Sequence, residues 1–332
     1  MNVLVKGLGA VAVAASLSTA ALAETTELNF GIISTESQAN LKTIWQPFLD
    51  AMGDQTDLKI NAFFASDYAG VIEGMRFGKV DIAWFGNKSG MEAVDRADGE
   101  VFAQTVDAEG NPGYWSLLLA NVDSPISSLD DVLKCDKSLD FGIGDPNSTS
   151  GFLVPTTFVF AKNGIDPKSC FKTVRNANHE TNLMAVANNQ VDVATNNTEN
   201  LRRLQTTNPE AAAKVKIIWK SPLIPSDPIL WNKELDQVTK DKVIAFFMGY
   251  GRQGTPDDVE KARAVLSALQ WAPFRPSSDA QLYPIRIMEI TKQIFQTQAD
   301  DKMTAEEKTA KVKELEEQKV YYEGLMAKVP QV

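Results

Sequence analysis

The chain contains its own echo. Residues 74–94 read GMRFGKVDIAWFGNKSGMEAV, and residues 185–205 read AVANNQVDVATNNTENLRRLQ. Val80-Asp81-Ile82-Ala83 in the first matches Val191-Asp192-Val193-Ala194 in the second. In both, a helical pattern leads into a short apolar strand, an Asn-containing turn follows, and a second helical pattern begins. A four-residue core is short enough to recur by chance. The matched flanks argue instead for two α/β lobes built on one plan.

The rest of the chain fits two such lobes. ELNFGIIS (27–34) reads as a strand and is followed by a helix from about Ser37 to Met52. LKINAFFA (58–65) is a second strand, and SDYAGVIEGMRF opens a helix capped by Ser66 or Asp67. Strand–helix alternation predicts a mostly parallel sheet with helices on both faces. YWSLLLANVD (114–123) leaves the first lobe and KVKIIWKSPLIPSDPILW (214–231) returns to it. The expected division is therefore 24–117 plus 228–332 for lobe 1, with 118–227 inserted as lobe 2 through a two-strand hinge. Ligands of such sheets bind beyond the carboxyl ends of the strands, and two facing lobes make a cleft that can close.

Residues 1–23, MNVLVKGLGAVAVAASLSTAALA, belong outside that core. Lys6, a short apolar stretch and the small-x-small Ala21-Leu22-Ala23 describe an export leader cut after Ala23, which places the mature protein in the periplasm. Losing Lys6 moves the net charge from −10 to −11, a field that excludes nucleic acid as a partner. One His and no CxxC pair argue against zinc, and nothing in the chain calls for a cofactor. The two cysteines, Cys135 and Cys170, precede the strand patterns LDFGIG and FKTVRNA. In an oxidising compartment they are expected to form one disulfide inside lobe 2, at the strand ends away from the cleft.

The stretch FGIGDPNSTSGFLVP (141–155) carries the chemistry. A strand runs into Ser148, Thr149 and Ser150 where a helix should begin. A helix N-terminus offers unpaired N–H groups and a partial positive charge, so it can hold an anion without a basic residue. One Ser would suffice as a cap; three hydroxyls in sequence favour an oxyanion ligand. Gly151 allows close backbone approach and Pro146 stiffens the entry. Glu199, at the carboxyl end of VDVAT, and Asp227, on the returning crossing, point at the same cleft. Two acids converging on an anion site repel unless the ligand also carries a cation. The pattern suits a zwitterion with an oxyanion at one end and an ammonium at the other.

LNFGIISTESQANLKTIWQPFL, NAFFASDYAGVIEGMRFGKVDIAWFGN, GYWSLL, GDPNSTSGFLVP, NANHETN, VDVATNNTENL and WKSPLIPSDPILW together resemble the periplasmic phosphonate-binding proteins of ABC-type phosphonate importers. The likeness runs from about Leu28 to Trp271–Arg275. It implies the type II periplasmic-binding-protein fold, with two mixed sheets flanked by helices, no enzymatic activity and delivery of ligand to a membrane permease. It also implies 2-aminoethylphosphonate as the favoured solute. Phosphonate contacts would come from Ser148, Thr149, Ser150, Tyr68 and His179; the ammonium would meet Glu199 and Asp227, with Tyr114 lining the site. One departure is Phe85, where the family pattern has Tyr, which puts either a hydroxyl contact or only packing in question.

Other readings compete. Phosphate, phosphite or a sulfonate would satisfy the anion site but offer no cation to the two acids. A hydrolase could be drawn from Ser148 or Ser150, His179 and Asp227, yet the chain has no G-x-S-x-G elbow and no second His. The tail from about Ser277 is charged and helical, and Thr304 with Glu307 forms a capping box. Its stripe of Val312, Leu315, Tyr322 and Met326 fits either packing on lobe 1 or a homodimer contact.

Overall fold

The computed structural model describes residues 26–329; the leader expected over 1–23 lies outside the described residues. Thirteen strands run in chain order: Glu27–Ile32 (β1), Lys59–Phe64 (β2), Ile82–Trp84 (β3), Gly99–Asp107 (β4), Gly113–Tyr114 (β5) and Ser116–Asn121 (β6). Then follow Asp140–Ile143 (β7), Thr173–Asn176 (β8), Val193–Asn197 (β9), Val215–Lys220 (β10), Ile224–Pro225 (β11), Pro228–Asn232 (β12) and Trp271–Pro276 (β13). They form a six-stranded sheet in the order β13-β4-β12-β3-β1-β2 and a five-stranded sheet in the order β10-β6-β9-β7-β8.

The echo in the sequence is an echo in space. β1 is parallel to β2 and β3, as β7 is to β8 and β9. The repeated aspartates perform one task twice. Asp81 Oδ2 accepts the Asn29 N–H at 2.7 Å while its own N–H donates to Asn29 O at 3.0 Å. Asp192 Oδ2 accepts the Asp140 N–H at 2.7 Å and its N–H donates to Asp140 O at 2.9 Å. Each carboxylate ties the start of its strand to the neighbouring one.

The sheets are mixed rather than mostly parallel, because the crossing strands enter antiparallel. β6 lies antiparallel to β9 in the second sheet, and β12 lies antiparallel to both β3 and β4 in the first. β6 already pairs in the second sheet at Ser116. Between the sheets the two crossings meet as a ribbon, β5 against β11, with Tyr114 opposite Ile224 and Gly113 opposite Pro225. Gly113 is required there: a Cβ would stand 2.1 Å from the Ile224 carbonyl oxygen.

The helix Gln38–Thr56 is capped by Ser37 and the helix Tyr68–Arg76 by Asp67. Lobe 1 packs around aromatic rings, with Trp45 against Phe30 at 5.4 Å and against Trp84 at 5.4 Å. In lobe 2 Cys135 and Cys170 are joined, closing a loop that brackets β7 and ends before its neighbour β8.

The tail folds back on its own chain. Val312, Leu315 and Tyr322 of the helix Ala305–Met326 pack on Ile290 and Ile294 of the helix Tyr283–Ala299. Arg286 pairs with Asp95 of lobe 1 at 2.8 Å. The capping box of Thr304 and Glu307 is present. Met326, expected on the same stripe, is exposed, since it lies at the last turn beyond the reach of the partner helix. The stripe is thus accounted for within one chain, and a homodimer is not supported.

Candidate functional site

A cavity of about 50 Å³ lies between the lobes, and Tyr68, Tyr114, Ser148, Thr149, Ser150, His179, Glu199 and Asp227 all line it. All eight residues expected from the sequence are therefore brought together. The cavity is ringed by helix starts. Tyr68 opens one helix, Gly86 caps Asn87–Arg96, Ser148 caps the turn at Thr149, His179 opens His179–Ala187, and Asn197 caps Thr198–Thr207. A helix start carries a partial positive charge, so several of them border the same space.

The helix after β7 opens in wide π-type turns, with the Leu153 N–H donating to Ser148 O at 3.0 Å, rather than in an ordinary α turn. Such turns re-aim side chains at functional sites. The close approach falls at Gly151, whose carbonyl accepts from the Gly144 N–H at 2.9 Å. A Cβ on Gly151 would meet Ser148 Oγ at 2.9 Å and His179 Cε1 at 3.1 Å.

The three hydroxyls have distinct acceptor duties. Ser148 Oγ accepts the Gly151 N–H at 3.0 Å, Thr149 Oγ1 accepts the Lys88 N–H of the other lobe at 2.8 Å, and Ser150 Oγ accepts from Asn197 Nδ2 at 3.1 Å. A hydroxyl that already accepts has its O–H left to donate. Tyr68 lies beside Ser148, and burial pushes its phenol up, with Asp145 and Asp227 adding to the shift, so it stays a hydroxyl donor. His179 Nε2 sits 3.4 Å from Ser148 Oγ and 3.3 Å from Asn197 Nδ2. Asn197 Oδ1 accepts the Asn200 N–H at 2.7 Å, which fixes that amide with Nδ2 toward the imidazole. His179 Nε2 is then the acceptor and Nδ1 carries the proton. Nδ1 is buried without a protein partner. Burial depresses the imidazole to about 4, so it is neutral at physiological pH.

The acids occupy the other part of the cavity. Asp227 Oδ1 accepts from Tyr114 Oη at 2.9 Å and from Asn87 Nδ2 at 3.3 Å, and its Oδ2 accepts from Trp84 Nε1 at 3.2 Å. Burial and the Glu199 charge raise its carboxyl. Burial likewise pushes Glu199 up to about 7, against the pull of Arg202 and Arg203. These arginines are committed elsewhere: Arg203 Nε to Glu36 at 2.7 Å, Arg202 to Asp107 at 2.6 Å and Glu109 at 2.8 Å. The Glu199 charge thus adds to the burial that raises Asp227, a situation that an ammonium relieves.

Several lining residues were not expected. Trp84 holds Asp227, helped by Asn87 from outside the lining; Asn197 orders the hydroxyl–imidazole cluster; Asn200, Glu36 and Arg203 form a wall. An arginine does line the cavity, but paired. Trp84 and Phe85 are strand neighbours with opposite faces, and the alternation was the available signal. Phe85 is fully buried in the lobe 1 core and does not line the cavity, so the departure from the family's Tyr is a packing change. No Ser–His–Asp chain exists here: Asp227 bonds Tyr114, Trp84 and Asn87, not His179.

Comparison with known proteins agrees with this geometry. Residues 30–282 match the family model described as "ABC transporter, phosphonate, periplasmic substrate-binding protein". The chain is 60% identical over 291 residues to the phosphonates-binding periplasmic protein of Escherichia coli (strain K12), covering 88% of this chain and 84% of that one. It is 30% identical over 230 residues to a phosphate-import protein of Mycolicibacterium smegmatis, covering 66% of this chain and 70% of the other. A crystal structure of the binding protein component of a Pseudomonas aeruginosa ABC phosphonate transporter superposes with a TM-score of 0.88 at 56% identity, over 92% of this chain and 99% of that one. By the match over residues 30–282 and the 60% identity, the chain belongs to the periplasmic substrate-binding proteins of ABC phosphonate transporters.

Proposed function

We propose that the protein captures 2-aminoethylphosphonate in the interlobe cleft and delivers it to the membrane permease of its importer. The observation that carries this is the division of the cavity. Ser148, Thr149 and Ser150 each accept a protein N–H, which leaves each an O–H to donate, while Glu199 and Asp227 line the same cavity and the arginine there, Arg203, is paired with Glu36. Phosphonate oxygens meet the first set, with Tyr68 and His179 Nδ1, and the ammonium meets the second. The lobes, 24–117 with 228–332 and 118–227, close about the β5–β11 ribbon. Thr149 and Tyr68 come from opposite lobes, so the full contact set exists only on closure. Export would follow removal of residues 1–23, giving a mature N-terminus at Glu24, which N-terminal sequencing of the periplasmic protein checks.

Titration calorimetry tests the ligand. 2-Aminoethylphosphonate should bind more tightly than ethylphosphonate, phosphate, phosphite or taurine. The mycobacterial relative's name makes inorganic phosphate the second reading, and phosphate binding as tightly as the aminophosphonate would favour it.

A further inference from the structure

Among the described residues, two buried polar side-chain atoms that line the ligand cavity have no protein partner: His179 Nδ1 and Asn200 Oδ1. The first is a donor and belongs to the anion end. The second is an acceptor, and it sits beside Glu199 in the first turn of the helix Thr198–Thr207. A buried acceptor without a donor is costly unless a ligand supplies one.

The count of acceptors is informative. Asp227 Oδ1 already accepts from Tyr114 and Asn87, and Oδ2 from Trp84, which leaves one place on Oδ2. Glu199 supplies a second acceptor. A primary ammonium has three N–H donors, and two carboxylates answered singly leave one over. Asn200 Oδ1 is a neutral acceptor of this wall that is buried without a protein partner. Its backbone N–H is held by the Asn197 cap at 2.7 Å, so the turn that aims the side chain is fixed independently of ligand.

Building on the aminophosphonate reading above, we propose that Asn200 is the third acceptor of the ligand's ammonium, and that the site thereby selects primary amines over N-alkylated ones. An N-methyl group removes one N–H and sets a methyl against a buried carbonyl oxygen. Ethylphosphonate has no donor to give and is indifferent to Asn200.

The test is calorimetric titration of the full mature protein and of the variants Asn200→Ala and Asn200→Leu with three ligands: 2-aminoethylphosphonate, its N-methyl derivative and ethylphosphonate. Leu keeps the volume, which separates a lost hydrogen bond from a lost contact. In the wild type, N-methylation should weaken binding by about 5- to 30-fold. In both variants 2-aminoethylphosphonate should weaken by a similar factor, the N-methyl ligand by less than about 3-fold, and ethylphosphonate not measurably. Equal loss for all three ligands would make Asn200 merely structural and overturn the proposal, as would unchanged 2-aminoethylphosphonate affinity. If the wild type binds ethylphosphonate as tightly as the amine, the aminophosphonate reading itself falls and takes this one with it; that result is visible before any variant is made.

Discussion

Tyr114, on β5, donates its hydroxyl to Asp227 Oδ1 at 2.9 Å, and Asp227 lies between β11 and β12, so the bond links the two crossings of the chain. The bond ties the β5–β11 ribbon to an acid that lines the cavity. Burial and the Asp227 charge raise the Tyr114 phenol, so the hydroxyl remains a donor throughout the useful pH range. Tyr114→Phe removes one of the three donors that favour ionised Asp227, so the carboxyl rises further. Only the ionised form attracts an ammonium. Affinity for 2-aminoethylphosphonate falls as pH drops, and in the variant that fall should begin at higher pH; affinity profiles of both proteins check this.

Glu199→Gln keeps shape and removes the charge. 2-Aminoethylphosphonate should weaken by about 10- to 150-fold, the equivalent of a charge-assisted hydrogen bond. Ethylphosphonate should hold or gain, since an unpaired buried carboxylate is gone. The ratio of the two dissociation constants decides: equal weakening of both ligands means Glu199 does not read the ammonium.

His179 makes stability fall on the acid side. Burial lowers its folded value from 6.5 to about 4, so its contribution is full above 6.5 and is lost as pH falls through that window. The total is at most about 3 kcal/mol. Glu199 acts oppositely: raised from 4.5 to about 7, its contribution is full below 4.5 and lost as pH rises through 7. Because the two oppose each other between neutrality and pH 5, the sign of the net change is not set by His179 alone; chemical unfolding of the ligand-free protein at the two pH values should show a change on acidification that is less favourable in the wild type than in His179→Gln.

The Cys135–Cys170 bond lies at the amino ends of β7 and β8, the ends away from the cavity. Reduction, or Cys135→Ala with Cys170→Ala, should cost about 2–4 kcal/mol of stability. Ligand affinity at low temperature should not change, and a loss of affinity in the folded variant would contradict the placement.

Gly113→Val puts a branched side chain where even a Cβ would stand 2.1 Å from the Ile224 carbonyl oxygen. The ribbon must open. The variant should lose affinity for amine-bearing and amine-free phosphonates alike, by more than about 10-fold, and small-angle scattering should show a smaller change in radius of gyration on adding ligand than in the wild type.

Much of this was legible in the chain because the signals were local. A strand running into Ser148-Thr149-Ser150, an acid after VDVAT and a repeated aspartate are read without knowing the fold. What could not be read is partnership across distance. Glu36 and Arg203 are unremarkable until the lobes set them 2.7 Å apart. Trp84 reads as a core strand residue, and its indole N–H has a role only because the returning crossing brings Asp227 beside it. The parallel sheet expected from strand–helix alternation gave way to a mixed one for the same reason: the crossing strands reverse direction, and alternation carries no sign of that.

The placement of β12 governs when the protein can fold. This strand lies between β3 and β4, so the first sheet is missing an inner member until residues 228–232 have been synthesised, although most of its other strands precede residue 108. Its closure waits on contacts far apart in the chain, which form slowly. The exchange of strands that builds the ribbon between the sheets thus also makes completion of the first sheet wait on the later part of the chain.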